Sequence, residues 1–284
     1  MFIPRKILEE KLKQILAEDI GQGDVTAQAI IPSNLTVEAI VIAKEEGIVA
    51  GIEETTILAE YLGLKVKAKA ADGEKIENKQ VLMQISGDAQ TILSAERTML
   101  NLLSRMSGIA TKARMLTEKL RKANVTAKIA ATRKTAPGLL YFDKKAVTIG
   151  SGDPHRLHLD DMILIKDNHL AIVGSVENAV KKAKANASFT KKIEVEVTKV
   201  EDAVKAAKAG ADIIMLDNFS PQQAKDAGEM LKKAGFGGVL LEVSGGITGE
   251  NLLEYAVAQV DIISMGELTH SVKALDISLE IMKD

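Results

Sequence analysis

The chain has 284 residues, enough to bury a sizeable core in one large domain or two unequal ones. Its 37 basic and 39 acidic residues give a formal charge of −2, so no global field draws it to nucleic acid or an anionic membrane, and any anion site must be local. The absence of cysteine excludes disulfides, thiolate nucleophiles, iron–sulfur clusters and cysteine-ligated zinc.

The N-terminal stretch "MFIPRKILEEKLKQILAEDIG" predicts an amphipathic helix after Pro4, because apolar Ile7, Leu8, Leu12, Ile15 and Leu16 recur at helical spacing. It lacks a signal-peptide apolar core. No charge-free apolar run reaches the ~20 residues needed to span a bilayer, so a cytoplasmic protein is expected. From Val37 to Ile85 short strands dominate, split by Gly and Asp/Asn turns, with one helix at "IEETTILAEYLG"; this predicts an α+β layer. "AQTILSAERTMLNLLSRMSGIAT" follows as a helix buried around much of its circumference, on Ile92, Leu93, Met99, Leu100, Leu102, Leu103 and Met106. Arg97 lies inside it, either as a snorkelling arginine with a carboxylate partner or as a functional cation.

From Val125 the pattern changes. Six β-rich runs, "VTAKIAAT", "DMILIK", "KIEVEV", "DIIML", "GVLLEV" and "VDIISM", alternate with helical ones such as "SVENAVKKAKANA", "VEDAVKAAKAG", "PQQAKDAGEMLKKAG" and "ENLLEYAVA". Repeated strand and helix imply parallel strands with right-handed crossovers, closed as a β/α barrel or laid out as an open doubly wound sheet. Six strands are fewer than the usual eight of a barrel, so either an earlier segment such as "MSGIAT" takes part or the barrel is incomplete.

The strand ends carry the chemistry. In order they present Arg133 and Lys134, Lys166 with Asp167, Asn168 and His169, Glu196, Asp217 with Asn218, Ser244 with Gly245 and Gly246, and Gly266 with Glu267. A barrel would gather these at one mouth, whereas an open sheet would spread them along an edge, so their number favours the barrel. Arg133, Lys134, His155, Arg156 and Lys166, with Arg97 as a possible addition, form a cationic set suited to carboxylates or phosphates, which makes a polyanionic substrate the expectation. Glu196 and Asp217 suit sugar hydroxyls, Mg²⁺ held through water, or a developing positive charge on a ribosyl carbon. Glu194 is expected to face the opposite way from Glu196, toward the helices, as a buried carboxylate paired with a lysine. Gly245, Gly246 and Gly266 allow close backbone approach to a phosphate, and a helix opening after "GGIT" would add its dipole. His155 and His158 have weak zinc spacing, and His155 is better read as an anion donor.

Taken together, "EDIGQGDVT", "AERTMLNLLSRMSGIAT", "ATRKTAPGLL", "KKAVTIGSGDPHRLHLDDMILIKDNH", "IEVEV", "IIMLDNF", "EVSGGI" and "ISMGELTHS" resemble the quinolinate phosphoribosyltransferase family. The resemblance spans almost the whole chain. It implies an α/β protein, with an N-terminal α/β sandwich over 1–108, joined by the C-terminal segment 271–284, and an incomplete (β/α) TIM-like barrel over 109–270. It implies conversion of quinolinate and phosphoribosyl pyrophosphate to nicotinate mononucleotide, pyrophosphate and CO2, with Mg²⁺ as cofactor and a homodimer or larger homo-oligomer as the working unit. By the same resemblance Arg133, His155, Arg156 and Lys166 bind the quinolinate carboxylates, with Arg97 arriving from the neighbouring subunit. Lys134 lies near phosphoribosyl pyrophosphate, Glu196 and Asp217 serve ribose and Mg²⁺, and Ser244, Gly245, Gly246, Gly266 and His270 hold the 5′-phosphate. Lys134, Lys166, Glu196 and Asp217 are the expected catalytic residues. The alternatives are a relative of the same fold using another pyridine or base acceptor, a Schiff-base aldolase built on Lys166, and a non-catalytic binder of a phosphorylated ligand. Two departures from the family pattern are Gln259, where glycine is usual, and His158, where a small or uncharged residue is more common.

Overall fold

The computed structural model describes residues 3–256 and 258–282. Contacts divide the chain into two compact units, one of Met1–Arg114, Tyr141–Ser151 and Val272–Asp284, the other of Met115–Leu140 and Gly152–Ser271.

In the first unit, α1 (Arg5–Ile20) buries Leu8, Leu12 and Leu16, one face at helical spacing. A short α2 (Val25–Ile30) follows, its N-terminus capped by the Asp24 carboxylate, which accepts from the Thr26 and Ala27 N–H groups. β1 (Thr36–Ala43), β3 (Lys65–Ala68) and β5 (Val81–Asp88) form an antiparallel sheet with the C-terminal strand Ile277–Ile281, in the order C-terminal strand, β1, β5, β3. A two-stranded ribbon of β2 (Gly47–Ile48) and β4 (Lys75–Ile76) and the helix α3 (Ile52–Tyr61) complete the layer. The predicted apolar helix is α4 (Ala89–Lys122), whose "MSGIAT" segment is helical and supplies no strand. Its Gly108 carries a constraint, because a Cβ there would lie 2.1 Å from the Lys273 carbonyl oxygen; only glycine lets the C-terminal segment run so close to the helix. α5 (Leu140–Ile149) contributes buried Lys145, which pairs with Glu53 and with Glu54 of α3.

The second unit is built on the six predicted strands, all parallel: β6 (Lys128–Ala131), β7 (Ile163–Ile165), β8 (Ile193–Val197), β9 (Ile213–Asp217), β10 (Leu240–Ser244) and β11 (Ile262–Met265). Their order is β6, β11, β10, β9, β8, β7, so the last strand pairs with the first and the sheet curls as a barrel does. No ladder joins β6 to β7. At that seam Asp153 makes an isolated parallel bridge to Ala130, exchanging bonds with Ile129 O and Ala131 N. The barrel is thus incomplete and sealed by the 152–156 segment.

Between the strands lie α6 (Asp167–Val173), α7 (Val176–Asn186), α8 (Val200–Ala209), α9 (Pro221–Lys233), the five-residue α10 (Leu252–Ala256) and the four-residue α11 (Glu267–His270). Their limits follow local chemistry. Ser175 caps α7, Ser220 and Gln223 form a capping box at α9, and Gly174 and Gly210 end α6 and α8 in the left-handed conformation. The predicted helix "ENLLEYAVA" is described only as far as Ala256, and Val257 lies outside the described residues. The helix expected directly after "GGIT" starts only at Leu252; a turn precedes it, with Asn251 Oδ1 accepting from Thr248 N and Asn251 Nδ2 donating to Gly246 O. Gln259 adopts φ 54°, a left-handed position that a glycine would occupy without steric cost.

Candidate active site

A cavity of about 400 Å³ opens at the carboxyl ends of the barrel strands. Arg133 and Lys134, just past β6, share its wall with Arg156 from the seam and Lys166 at the end of β7. Glu196 and Asp217 enter from β8 and β9, and Ser244 from β10. Two glycine-bearing strand ends adjoin it. Gly245 and Gly246 have φ values of 95° and 61°, and a Cβ on Gly245 would fall 2.3 Å from Asn218 Oδ1. A Cβ on Gly266 would meet the His270 ring at 2.9 Å and Lys134 Cδ at 3.3 Å, so Gly266, His270 and Lys134 are immediate neighbours.

The electrostatics of this mouth favour an anion. The Arg156 guanidinium is held below its ordinary pKa first by burial and then by the charge of Arg133, partly offset by Glu194 and Glu196. Two cations in such a relation are relieved by a ligand that carries negative charge. Lys166 Nζ pairs with Glu196 Oε1 at 3.0 Å. The lysine side chain is 46 % exposed, in contrast to the apolar pocket that suits an imine-forming amine. Asp217 Oδ2 accepts from Asn218 Nδ2 at 2.9 Å, and Thr269 Oγ1 donates to the Lys134 carbonyl at 2.9 Å, fastening the strand end that carries the two adjacent cations.

Beneath these groups lies a second layer that strand parity explains. Side chains two apart on a strand share a face, so each mouth residue has a companion one layer deeper. Leu164 lies under Lys166, Met215 under Asp217, Glu242 under Ser244 and Ser264 under Gly266; all four companions line the cavity. Glu194 is the companion of Glu196, and this corrects the expectation that it faces the helices and pairs with a lysine. It is fully buried, 3.5 Å from His155 Nε2, and neither of its carboxylate oxygens has a hydrogen bond. Burial, and then the nearby charge of Glu242, pushes its pKa up to about 8. Glu242 and Ser264 did not emerge from the sequence, although their position two residues before a strand-end group is the signal that marks them.

His155 occupies the seam at φ 53°. Its N–H donates to Asp153 Oδ1 at 2.8 Å, its Nδ1 accepts from Arg156 N at 2.8 Å, and its Nε2 lies 3.2 Å from Glu242 Oε2. His158 is exposed in the following loop, where its N–H and that of Leu157 both donate to Asp161. Arg97 belongs to the other unit. It is exposed on α4.

Comparison with known proteins agrees with this geometry. Residues 24–107 match the family model described as quinolinate phosphoribosyl transferase, N-terminal domain, and residues 109–280 match the model for the C-terminal domain of the same family. The chain belongs to the quinolinate phosphoribosyl transferase family. It is 48% identical over 276 residues, 96% of either chain, to the probable carboxylating nicotinate-nucleotide pyrophosphorylase of Methanocaldococcus jannaschii. The corresponding probable enzyme of Bacillus subtilis is 41% identical over 96% of this chain and 93% of its own. Among solved structures, the nicotinate-nucleotide pyrophosphorylase of Francisella tularensis superposes with a TM-score of 0.90 at 36% identity, covering 99% of this chain and 98% of that one. In this family setting the sandwich and the incomplete TIM-like barrel are the expected fold, and the chain is an enzyme of the pentosyl-transferring kind.

Proposed function

We propose that the protein transfers the phosphoribosyl group of phosphoribosyl pyrophosphate to the nitrogen of quinolinate and releases pyrophosphate, CO2 and nicotinate mononucleotide, a step of NAD biosynthesis. The observation that carries this reading is one cavity in which Arg133, Lys134, Arg156 and Lys166 face Glu196 and Asp217 beside two glycine turns. The relatives' names agree with it.

Arg133, Arg156 and Lys166 bind the two ring carboxylates, with His155 at the same end, and orient the ring nitrogen toward the anomeric carbon. Arginine suits a carboxylate because its planar donors match both oxygens. Ser244, Gly245, Gly246, Gly266 and His270 receive the 5′-phosphate through backbone N–H groups and one imidazole. The nitrogen lone pair forms the bond to the anomeric carbon as the carbon–oxygen bond to pyrophosphate breaks. Glu196 and Asp217 stabilise the positive charge that builds on the ribosyl carbon, while Lys134 faces the departing anion. The bond from ring C2 to its carboxylate then breaks, CO2 leaves, and the electron pair remains on C2 beside the now cationic nitrogen until a proton replaces it. No covalent nucleophile is needed, so positioning and electrostatics carry the rate.

Two carboxylates at one mouth fit a hard divalent cation, and Glu196 and Asp217 would hold Mg²⁺ through water. Held there, Mg²⁺ would supply positive charge that helps pyrophosphate leave. The working unit is a homodimer or a larger homo-oligomer in the cytoplasm, with Arg97 of one subunit completing the carboxylate site of the next. Incubation of purified protein with quinolinate, phosphoribosyl pyrophosphate and Mg²⁺ should yield nicotinate mononucleotide and CO2 in equal amounts. If quinolinate is untouched while another pyridine or base is ribosylated, the acceptor assignment is wrong.

A further inference from the structure

We propose that Glu242, supported by Ser264, is a positioning residue for the carboxylate end of the mouth: by accepting the Nε2–H of His155 it holds the ring in the tautomer whose Nδ1 fastens Arg156. The substrate in this proposal rests on the phosphoribosyl transfer reading; the tautomer does not.

The hydrogen-bond geometry dictates the tautomer. Arg156 N donates to His155 Nδ1 at 2.8 Å, so Nδ1 must present its lone pair and the ring proton must reside on Nε2. Nε2 then requires an acceptor in a buried place. Glu242 Oε2 provides it at 3.2 Å, with Glu194 Oε2 the next carboxylate oxygen at 3.5 Å. Glu242 is itself fixed from behind, because Ser264 Oγ donates to its other oxygen at 2.5 Å. Glu242 is fully buried and Ser264 nearly so. The path therefore runs from β11 through β10 and across the barrel interior to the seam, where it meets a His155 backbone held in the left-handed region.

The same reasoning argues against reading His155, Glu194 and Glu242 as a metal centre, although their ligand atoms lie within 4.8 Å of one another. A metal would need the Nε2 lone pair, which is available only if Nδ1 takes the proton and releases Arg156 N. Among the charged groups near His155 are Glu242 and Glu194 at Nε2 and Asp153, which accepts from its backbone N–H. Protonating the ring on Nδ1 would likewise displace the Arg156 N–H.

What depends on this clamp is the course of the chain at Arg156, and hence where its guanidinium points in the cavity. Loss of the acceptor should therefore raise KM for the diacid and leave the phosphoribosyl end unaffected. In ¹⁵N-histidine-labelled protein, four histidines give a ring spectrum simple enough to assign by the signal lost in His155→Gln. The wild-type ring should show the Nε2–H form at pH 7. An Nδ1–H form or an imidazolium overturns the proposal. Glu242→Met should raise KM for quinolinate about tenfold, with KM for phosphoribosyl pyrophosphate changed less than about twofold, and Glu242→Gln, which retains a carbonyl acceptor, should restore most of it. A folded Glu242→Met protein with unchanged quinolinate KM also overturns it. Should that variant not fold, Ser264→Ala and the wild-type spectrum decide in the same way. Absence of any turnover of quinolinate by the wild type would refute the substrate reading, while the ring spectrum would still test the clamp.

Discussion

Glu194 shows at the scale of one residue how burial changes an acid. Burial, and then the neighbouring charge of Glu242, disfavours the carboxylate and raises its pKa from an ordinary value of 4.5 to about 8. A raised folded-state value favours folding in acid; that contribution is complete below the ordinary carboxylate range, shrinks as pH rises and is lost on passing about 8. Thermal midpoints should therefore fall between mildly acidic and mildly alkaline pH, and Glu194→Gln, which carries no titrating proton, should flatten that slope. Parallel curves for the two proteins would show that other groups set the pH dependence. Parity within β8 already places Glu194 beside Glu196, and only the assumption of opposite faces sends it elsewhere. The His155 clamp is different. Its partners, Asp153, Arg156 and Glu242, include one residue 87 positions away, and no local pattern links them.

Between elements, the clearest polar lock is the one between α3 and α5. Lys145 and Glu54 are buried, 2.7 Å apart, with Glu53 completing the contact from a more exposed position. Burial would lower the lysine's pKa, but the two carboxylates more than offset this and the net shift is upward; burial raises Glu54 despite its lysine partner. Breaking such a pair from one side leaves a charge without compensation. Lys145→Met should destabilise the first unit by about 3 kcal/mol in chemical denaturation, and adding Glu54→Leu should recover part of that loss. A single-variant cost below about 0.5 kcal/mol would mean that water reaches Glu54. The bounds implied by the family resemblance put the "KKAVTIG" segment within the barrel, 109–270. Its assignment to the first unit depends on contacts with residues roughly ninety positions earlier, which hydrophobic periodicity cannot encode.

For the whole molecule, the proposal that Arg97 serves a neighbouring subunit makes a quantitative expectation. Arg97→Ala and Lys166→Ala proteins, each inactive, should complement when mixed and allowed to exchange subunits. Random pairing gives half heterodimers, each with one intact site of two, so recovered activity should approach about a quarter of wild type. If Arg97 acts within its own subunit, mixing restores nothing; if it plays no part, the Arg97→Ala protein is active by itself. Sedimentation of the same mixtures would establish the oligomer in which exchange occurs.

Much of the second unit is legible in the sequence. Six apolar β-rich runs alternating with amphipathic helices dictate parallel strands, and polar or glycine residues at their ends mark the mouth, because burial on both faces leaves only the strand ends for chemistry. Composition excludes thiol chemistry, and Arg133, Lys134, Arg156 and Lys166, expected from the strand ends, do line one cavity. Tertiary structure alone decided the rest. The pairing of β11 with β6, the unpaired seam filled by Asp153 and His155, and the reach of Glu242 across the barrel to that seam are contacts between residues far apart in the chain. Their physical cause is closure of the sheet, which turns strand order into proximity, and proximity is what a linear pattern of hydrophobic and polar residues does not contain.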